Sequence, residues 1–198
     1  ASSDPNYDET GEEDVVTVGW TDNDTADISW SGDSLTTESG DTAEICISLT
    51  SRPTHDVTLE LESSDTDEVT LSDDSILIEP EDWDGEENCI TAIGQDDDTT
   101  DGPQEVAISV TAVESDDPNF GNIDVGELEA FTVTNQDNDT ASFTVTTSDP
   151  AETTEAGGTA EICVELSARP SSGSVTIPLT VSDPSEASLA SSSLVIAA

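Results

Sequence analysis

Apolar and polar residues alternate along most of this chain. Residues 42–49 read TAEICISL, with Ile45, Ile47 and Leu49 on one face and Glu44, Cys46 and Ser48 on the other, which is the period of a half-buried strand. The same period runs through residues 15–20, with Val16, Val18 and Trp20 sharing a face, and through 28–30, with Ile28 and Trp30 sharing one. Further short runs of strand character occupy 57–61, 69–71, 76–78, 89–94, 105–113 and 130–134. Clusters of Ser, Thr, Asp, Gly and Pro separate them. No eleven-residue window carries a 3.6 period, so no helix is predicted. So many short strands predict an all-β fold built as an antiparallel β-sandwich. On this reading Trp20 and Trp30 are core side chains.

The pattern itself recurs. DNDTA stands at 22–26 and again at 137–141, TTESGDTAEICISLTSRP (36–53) returns as TTEAGGTAEICVELSARP (153–170), and DPNY (4–7) returns as DPNF (117–120). The offsets are 139 − 24 = 115, 155 − 38 = 117 and 117 − 4 = 113, a period of whole domains rather than of single solenoid units. Superposing the copies gives residues 1–25 as the C-terminal strand of a preceding repeat, 26–139 as a complete sandwich and 140–198 as the N-terminal half of the next. The half-repeats are expected to be either cut from a longer array or completed by strand addition from neighbouring copies. The first is preferred, because residues 1–25 bring no cysteine to Cys163. Trp20 aligns with Asn135 and Trp30 with Val145, which disfavours a repeated aromatic platform for sugars.

Cys46 and Cys163 are equivalent, and the counterpart of Cys89 falls beyond residue 198. In immunoglobulin-like topology the second and fifth strands are neighbours, and Cys46 and Cys89 both point outward. A cross-strand disulfide between them is expected, with reduced thiols as the alternative, and Cys163 unpaired. Such a bridge implies an oxidising location, extracellular or at a cell surface.

Forty-seven Asp and Glu against two Lys and Arg give a formal charge of −45. Self-repulsion at that density opposes a compact state unless cations offset it. Nucleic acid and anionic membranes are excluded as partners, since both call for basic patches. No run approaches the roughly 18 apolar residues of a membrane span, and no basic, apolar leader opens the sequence. The acidity reads either as a salt-adapted surface or as bound divalent cations. Asp96, Asp97, Asp98 and Asp101 crowd one loop after a strand, and Asp137 and Asp139 close the repeat, with Asp22 and Asp24 as their counterparts. Carboxylates converging from several loops are what Ca2+ prefers. Asn23 and Asn138 also begin glycosylation sequons, but a turn-and-ligand role explains those stretches better.

PEDWDGEENCITAIGQDDDTTDGPQEVAISV (80–110) followed by SDDPNFGNIDVGELEAFTVTNQDNDTA (115–141) resembles the Calx-beta-like repeats of very large bacterial extracellular proteins. The resemblance implies tandem immunoglobulin-like sandwiches, calcium at the acidic end and service as a surface or filament module. It implies Glu38, Asp96, Asp97, Asp101, Asp137 and Asp139 as ligands. Asn138 departs from the family's closing Asp triplet. Trp83 matches its turn Trp, a packing position.

The expected function is a non-catalytic, calcium-stiffened strut of a filament, stalk or adhesin, whose partners are adjacent repeats or copies of itself arranged head-to-tail. The alternative is an adhesin domain binding a carbohydrate or another surface ligand. Catalysis is not expected: His55 is the only histidine and its counterpart is Gly173 or a neighbouring Ser, so no triad or imidazole metal site recurs.

Overall fold

The computed structural model describes residues 16–21, 23–85 and 88–198. Two sheets face each other between residues 28 and 136. The first has the order β1-β3-β7-β5, from β1 (Ile28–Gly32), β3 (Thr42–Leu49), β7 (Cys89–Gly94) and β5 (Val69–Leu71). The second has the order β2-β10-β9-β4-β6, from β2 (Leu35–Thr37), β10 (Phe131–Gln136), β9 (Gln104–Ser115), β4 (Val57–Ser63) and β6 (Ser75–Ile78). Within these sheets neighbours are antiparallel except β2 and β10. The first strand thus switches sheets midway to run beside the last, which makes the sandwich immunoglobulin-like. Among the described residues the helical content is one 3-10 turn, Val125–Glu127, and no helix is long and apolar enough to cross a membrane.

The alternation in the sequence is the alternation of burial. Along β3, Ala43, Ile45, Ile47 and Leu49 are buried and face Val57, Leu59 and Leu61 of β4 together with Val106, Ile108 and Val110 of β9 across the core. Phe120 plugs one end, fully buried. Its DPNF turn is set by Asp117, whose carboxylate accepts from the Thr54 amide at 2.7 Å, the Thr54 hydroxyl at 2.8 Å and the Asn119 amide at 2.8 Å. These bonds, the Thr54 amide first, hold the Asp117 carboxyl below its usual range. The DPNF turn at 117–120 is therefore a packing device; its DPNY counterpart at 4–7 lies outside the described residues.

Trp30 is half-buried, its ring 5.8 Å from that of Phe131 and its indole N–H donating to the Glu129 carbonyl at 2.8 Å. Trp83 packs against the core. Trp20 corrects the expectation: residues 16–20 form no strand, and Trp20 is 93% exposed. Their repeat counterpart becomes a strand by pairing with β9 and β2. The described residues preceding Trp20 supply no such partners, and alternation alone does not make a strand. Val15 lies outside the described residues.

Beyond residue 140 the chain forms two hairpin ladders. β11 (Phe143–Thr147) pairs with β12 (Ile162–Leu166), as β1 pairs with β3, and β14 (Ser174–Pro178) pairs with β15 (Ser193–Ala197), as β4 pairs with β6. Phe143, Val145, Ile162 and Val195 stay more than half exposed. A two-residue strand, β13 (Arg169–Pro170), runs parallel to β8 (Thr99–Thr100) of the preceding sandwich.

Cys46 and Cys89 lie directly opposite each other in the β3–β7 ladder and form a disulfide, while Cys163 is free and exposed.

Candidate metal centre

Four segments converge at one pole of the sandwich. β2 and β10 run parallel, and the pairing continues one residue further, where the Glu38 amide donates to the Gln136 carbonyl at 3.1 Å. That contact places Glu38 against the turn that follows β10. Its carboxylate accepts from the Asn138 amide at 2.8 Å. The Asp137 carboxylate accepts from the Asp139 amide at 2.6 Å and, with its other oxygen, from the Gly102 amide at 2.7 Å, tying the closing turn to the loop after β8. Glu38, Asp137 and Asp139 each present a carboxylate oxygen within 4.8 Å of the others.

A second group stands beside the first. Glu68, ahead of β5, meets Asp97 and Asp101 of the β7–β9 loop, again with one oxygen each within 4.8 Å. Asn135 forms the floor between the groups. Its side chain is buried, donates to the Glu68 carboxylate and the Gln95 carbonyl at 3.1 Å each, and accepts from the Thr36 hydroxyl at 3.0 Å. Gly94 lets β7 approach this floor: a Cβ there would lie 2.3 Å from the Thr37 carbonyl oxygen and 2.6 Å from Asn135 Oδ1.

Electrostatics at the pole are unfavourable as they stand. Burial raises the Glu38 carboxyl above its ordinary range, the Asn138 amide opposes this, and Asp137, Asp97 and Asp139 push it further up. Glu68 is raised in the same way, by burial first, with the Asn135 amide opposing and Asp101, Asp97 and Asp65 adding to the rise. Burial also raises Asp139, reinforced by Asp137, Asp98, Asp97 and Asp96. One buried oxygen, Asp139 Oδ2, has no hydrogen-bond partner. Buried acceptors are normally satisfied, and buried like charges are costly. An orphaned carboxylate oxygen among five other carboxylates fits a hard cation. The donor set is all oxygen, suited to calcium or magnesium rather than zinc or copper. The thiols near Glu44 are bound in the disulfide.

Seven of the nine residues expected as ligands fall at this pole, in differing roles. Asp137 and Asp139 join Glu38, and Asp97 and Asp101 join Glu68. Asp96 accepts instead from the Asn138 side-chain amide at 3.2 Å. Asp98 is outside both groups: its carbonyl accepts from the Arg169 amide at 2.6 Å, and its charge acts on Asp139. Asp24 is not brought here; it is exposed beside Thr25, whose carbonyl accepts from the Thr50 hydroxyl at the opposite pole. Asp22 lies outside the described residues. Glu68 was not among the expected ligands, yet the repeat held a signal, since it recurs as Glu186 at 186 − 68 = 118. The turn before it recurs too: Asp65 caps the Asp67 amide and Asp183 caps the Ser185 amide, each at 3.0 Å.

No family model, curated protein or solved structure matches the chain.

Proposed function

We propose that this chain is a non-catalytic structural module of an extracellular filament, stalk or adhesin, in which calcium held at the acidic pole stiffens the junction between successive sandwiches. The observation that carries the reading is the unpartnered, buried Asp139 Oδ2 amid raised carboxyls. Asp139 immediately precedes Thr140, whose carbonyl accepts from the Ser167 hydroxyl of the following repeat at 2.6 Å. The ligands of the pole thus include the last residues of one repeat. An ion there offsets the repulsion and fixes the backbone at the point where two repeats meet. Calcium suits the pole better than magnesium, because it accepts six to eight oxygens in irregular arrangement. Five of the six positions implied by the resemblance to Calx-beta repeats stand in the two carboxylate groups, Asp96 stands outside them and Glu68 is added. The disulfide supports an extracellular setting.

Small-angle scattering of the full chain in calcium and in chelator tests this. A narrow, extended distance distribution in calcium that broadens in chelator is expected. Superimposable curves would end the strut interpretation.

A further inference from the structure

The chain sets only two cationic side chains, Arg52 and Arg169, against 47 carboxylates. Both stand at the same position of the repeat, 169 − 52 = 117, and each is followed by a proline. Both corners are also built alike. In the central sandwich the Thr50 amide donates to the Asp27 carbonyl at 2.9 Å and the Thr50 hydroxyl to the Thr25 carbonyl at 2.7 Å. In the following repeat the Ser167 amide donates to the Ser142 carbonyl at 2.9 Å and the Ser167 hydroxyl to the Thr140 carbonyl at 2.6 Å.

The two corners differ in their partners. The Arg52 side chain is held within its own sandwich, its Nε–H donating to the Pro80 carbonyl at 2.8 Å and its guanidinium 4.0 Å from the Glu81 carboxylate, whereas the Arg169 corner meets an acidic loop of the preceding repeat. The Arg169 amide donates to the Asp98 carbonyl at 2.6 Å, the Thr100 hydroxyl donates to the Arg169 carbonyl at 3.3 Å, and β13 and β8 run parallel. The partner loop carries Asp96, Asp97, Asp98 and Asp101. A proline directly after the arginine has no N–H to donate, so the pairing stops after two residues instead of extending along the edge.

We propose that the Arg-Pro corner is the docking element of each repeat, and that its partner is the acidic β7–β9 loop of the repeat before it. The contact is a two-residue clasp that sets Arg169, its repeat's one Lys or Arg, beside an Asp-rich loop. Arg52–Pro53 is the equivalent element of the central repeat and faces the same way, its partner the corresponding loop of the repeat before it. The clasp is made by the Arg169 backbone with the Asp98 carbonyl and the Thr100 hydroxyl and needs no ion, so it stands or falls separately from calcium binding.

The test is residue-resolved amide hydrogen exchange on the full chain, in chelator. The Arg169 amide should exchange about tenfold more slowly than the Arg52 amide after correction for intrinsic rates, because only the former is clasped in this chain. Arg169→Glu should remove the protection at position 169 and speed exchange at Thr100, with the core amides of Ile45, Ile47 and Leu59 unchanged. Arg52→Glu should leave both sites as they were. Equal exchange at Arg52 and Arg169, or protection that Arg169→Glu does not alter, would overturn the proposal.

Discussion

Replacing Cys46 and Cys89 together by alanine should lower the stability of the central sandwich by about 4 kcal/mol. The two residues are 43 apart, and closing a loop of that size restricts the unfolded chain by about 4 kcal/mol in the chain-entropy model. Both side chains are only half-buried on the outer face, so their packing adds little and the effect falls mainly on the unfolded state. Against a total of roughly 5–15 kcal/mol, such a loss leaves the domain near its stability threshold. Urea unfolding at fixed calcium, followed by the fluorescence of Trp30 and Trp83, measures it, because both rings pack on the core. The midpoint should fall, and the denaturant slope should rise as the uncrosslinked unfolded chain exposes more surface. Cys163→Ser, at an exposed free thiol, should stay within about 0.5 kcal/mol of the parent. A double-alanine variant losing less than about 1 kcal/mol with an unchanged slope would refute the loop-closure reasoning.

Glu38→Gln keeps an acceptor for the Asn138 amide while removing one of the crowded charges. Its melting temperature should rise in chelator and fall in calcium; at free calcium of 100 Kd the parent gains about 2.7 kcal/mol, and a site about a hundredfold weaker retains about 0.4 kcal/mol of that. The raised carboxyls of Glu38, Glu68 and Asp139 make the folded chain bind protons that the unfolded chain releases. Calcium-free stability should therefore be greatest below the ordinary carboxyl values and decline as pH rises through the folded ones. The lowered Asp117 acts oppositely, its contribution present above its ordinary 3.8 and lost as pH falls through the folded value, so calcium-free melts should show an optimum in mild acid. With calcium bound, acid should destabilise instead, because protons compete for the ligands. Gly94→Ala drives a Cβ to 2.3 Å from the Thr37 carbonyl oxygen; overpacking of this kind costs about 1–3 kcal/mol, and calorimetry should show weaker calcium binding as β7 moves away from Asn135.

The sandwich was legible because each inward face of β3, β4 and β7, and of β9 as far as Val110, is written as alternation, and because the repeat showed the same faces twice. The disulfide was legible for the same reason, through the equivalence of Cys46 with Cys163. Alternation misled at Trp20, since it states which face a strand would bury and not whether a sheet is there to receive it. The pole was half legible. The Asp-rich loop and the closing DND turn are local in sequence, and Glu38 is reached through the family resemblance. Glu68 sits ahead of β5, far from both, and only the strand order carries it to Asp97 and Asp101. Its recurrence as Glu186 was the one sequence trace of that placement. The division of labour within the loop was not legible at all, because Asp96 and Asp98 differ from Asp97 only in what the folded backbone sets beside them.

Calcium titration calorimetry on the full chain, paired with thermal unfolding in calcium and in chelator, tests the central claim most directly. The account predicts stoichiometric binding at the pole, lost with Asp137→Asn and Asp139→Asn together, and a melting temperature that climbs with calcium concentration as linkage requires. Absence of binding heat together with identical melts in calcium and chelator would contradict it, and the acidity would then be that of a salt-adapted surface.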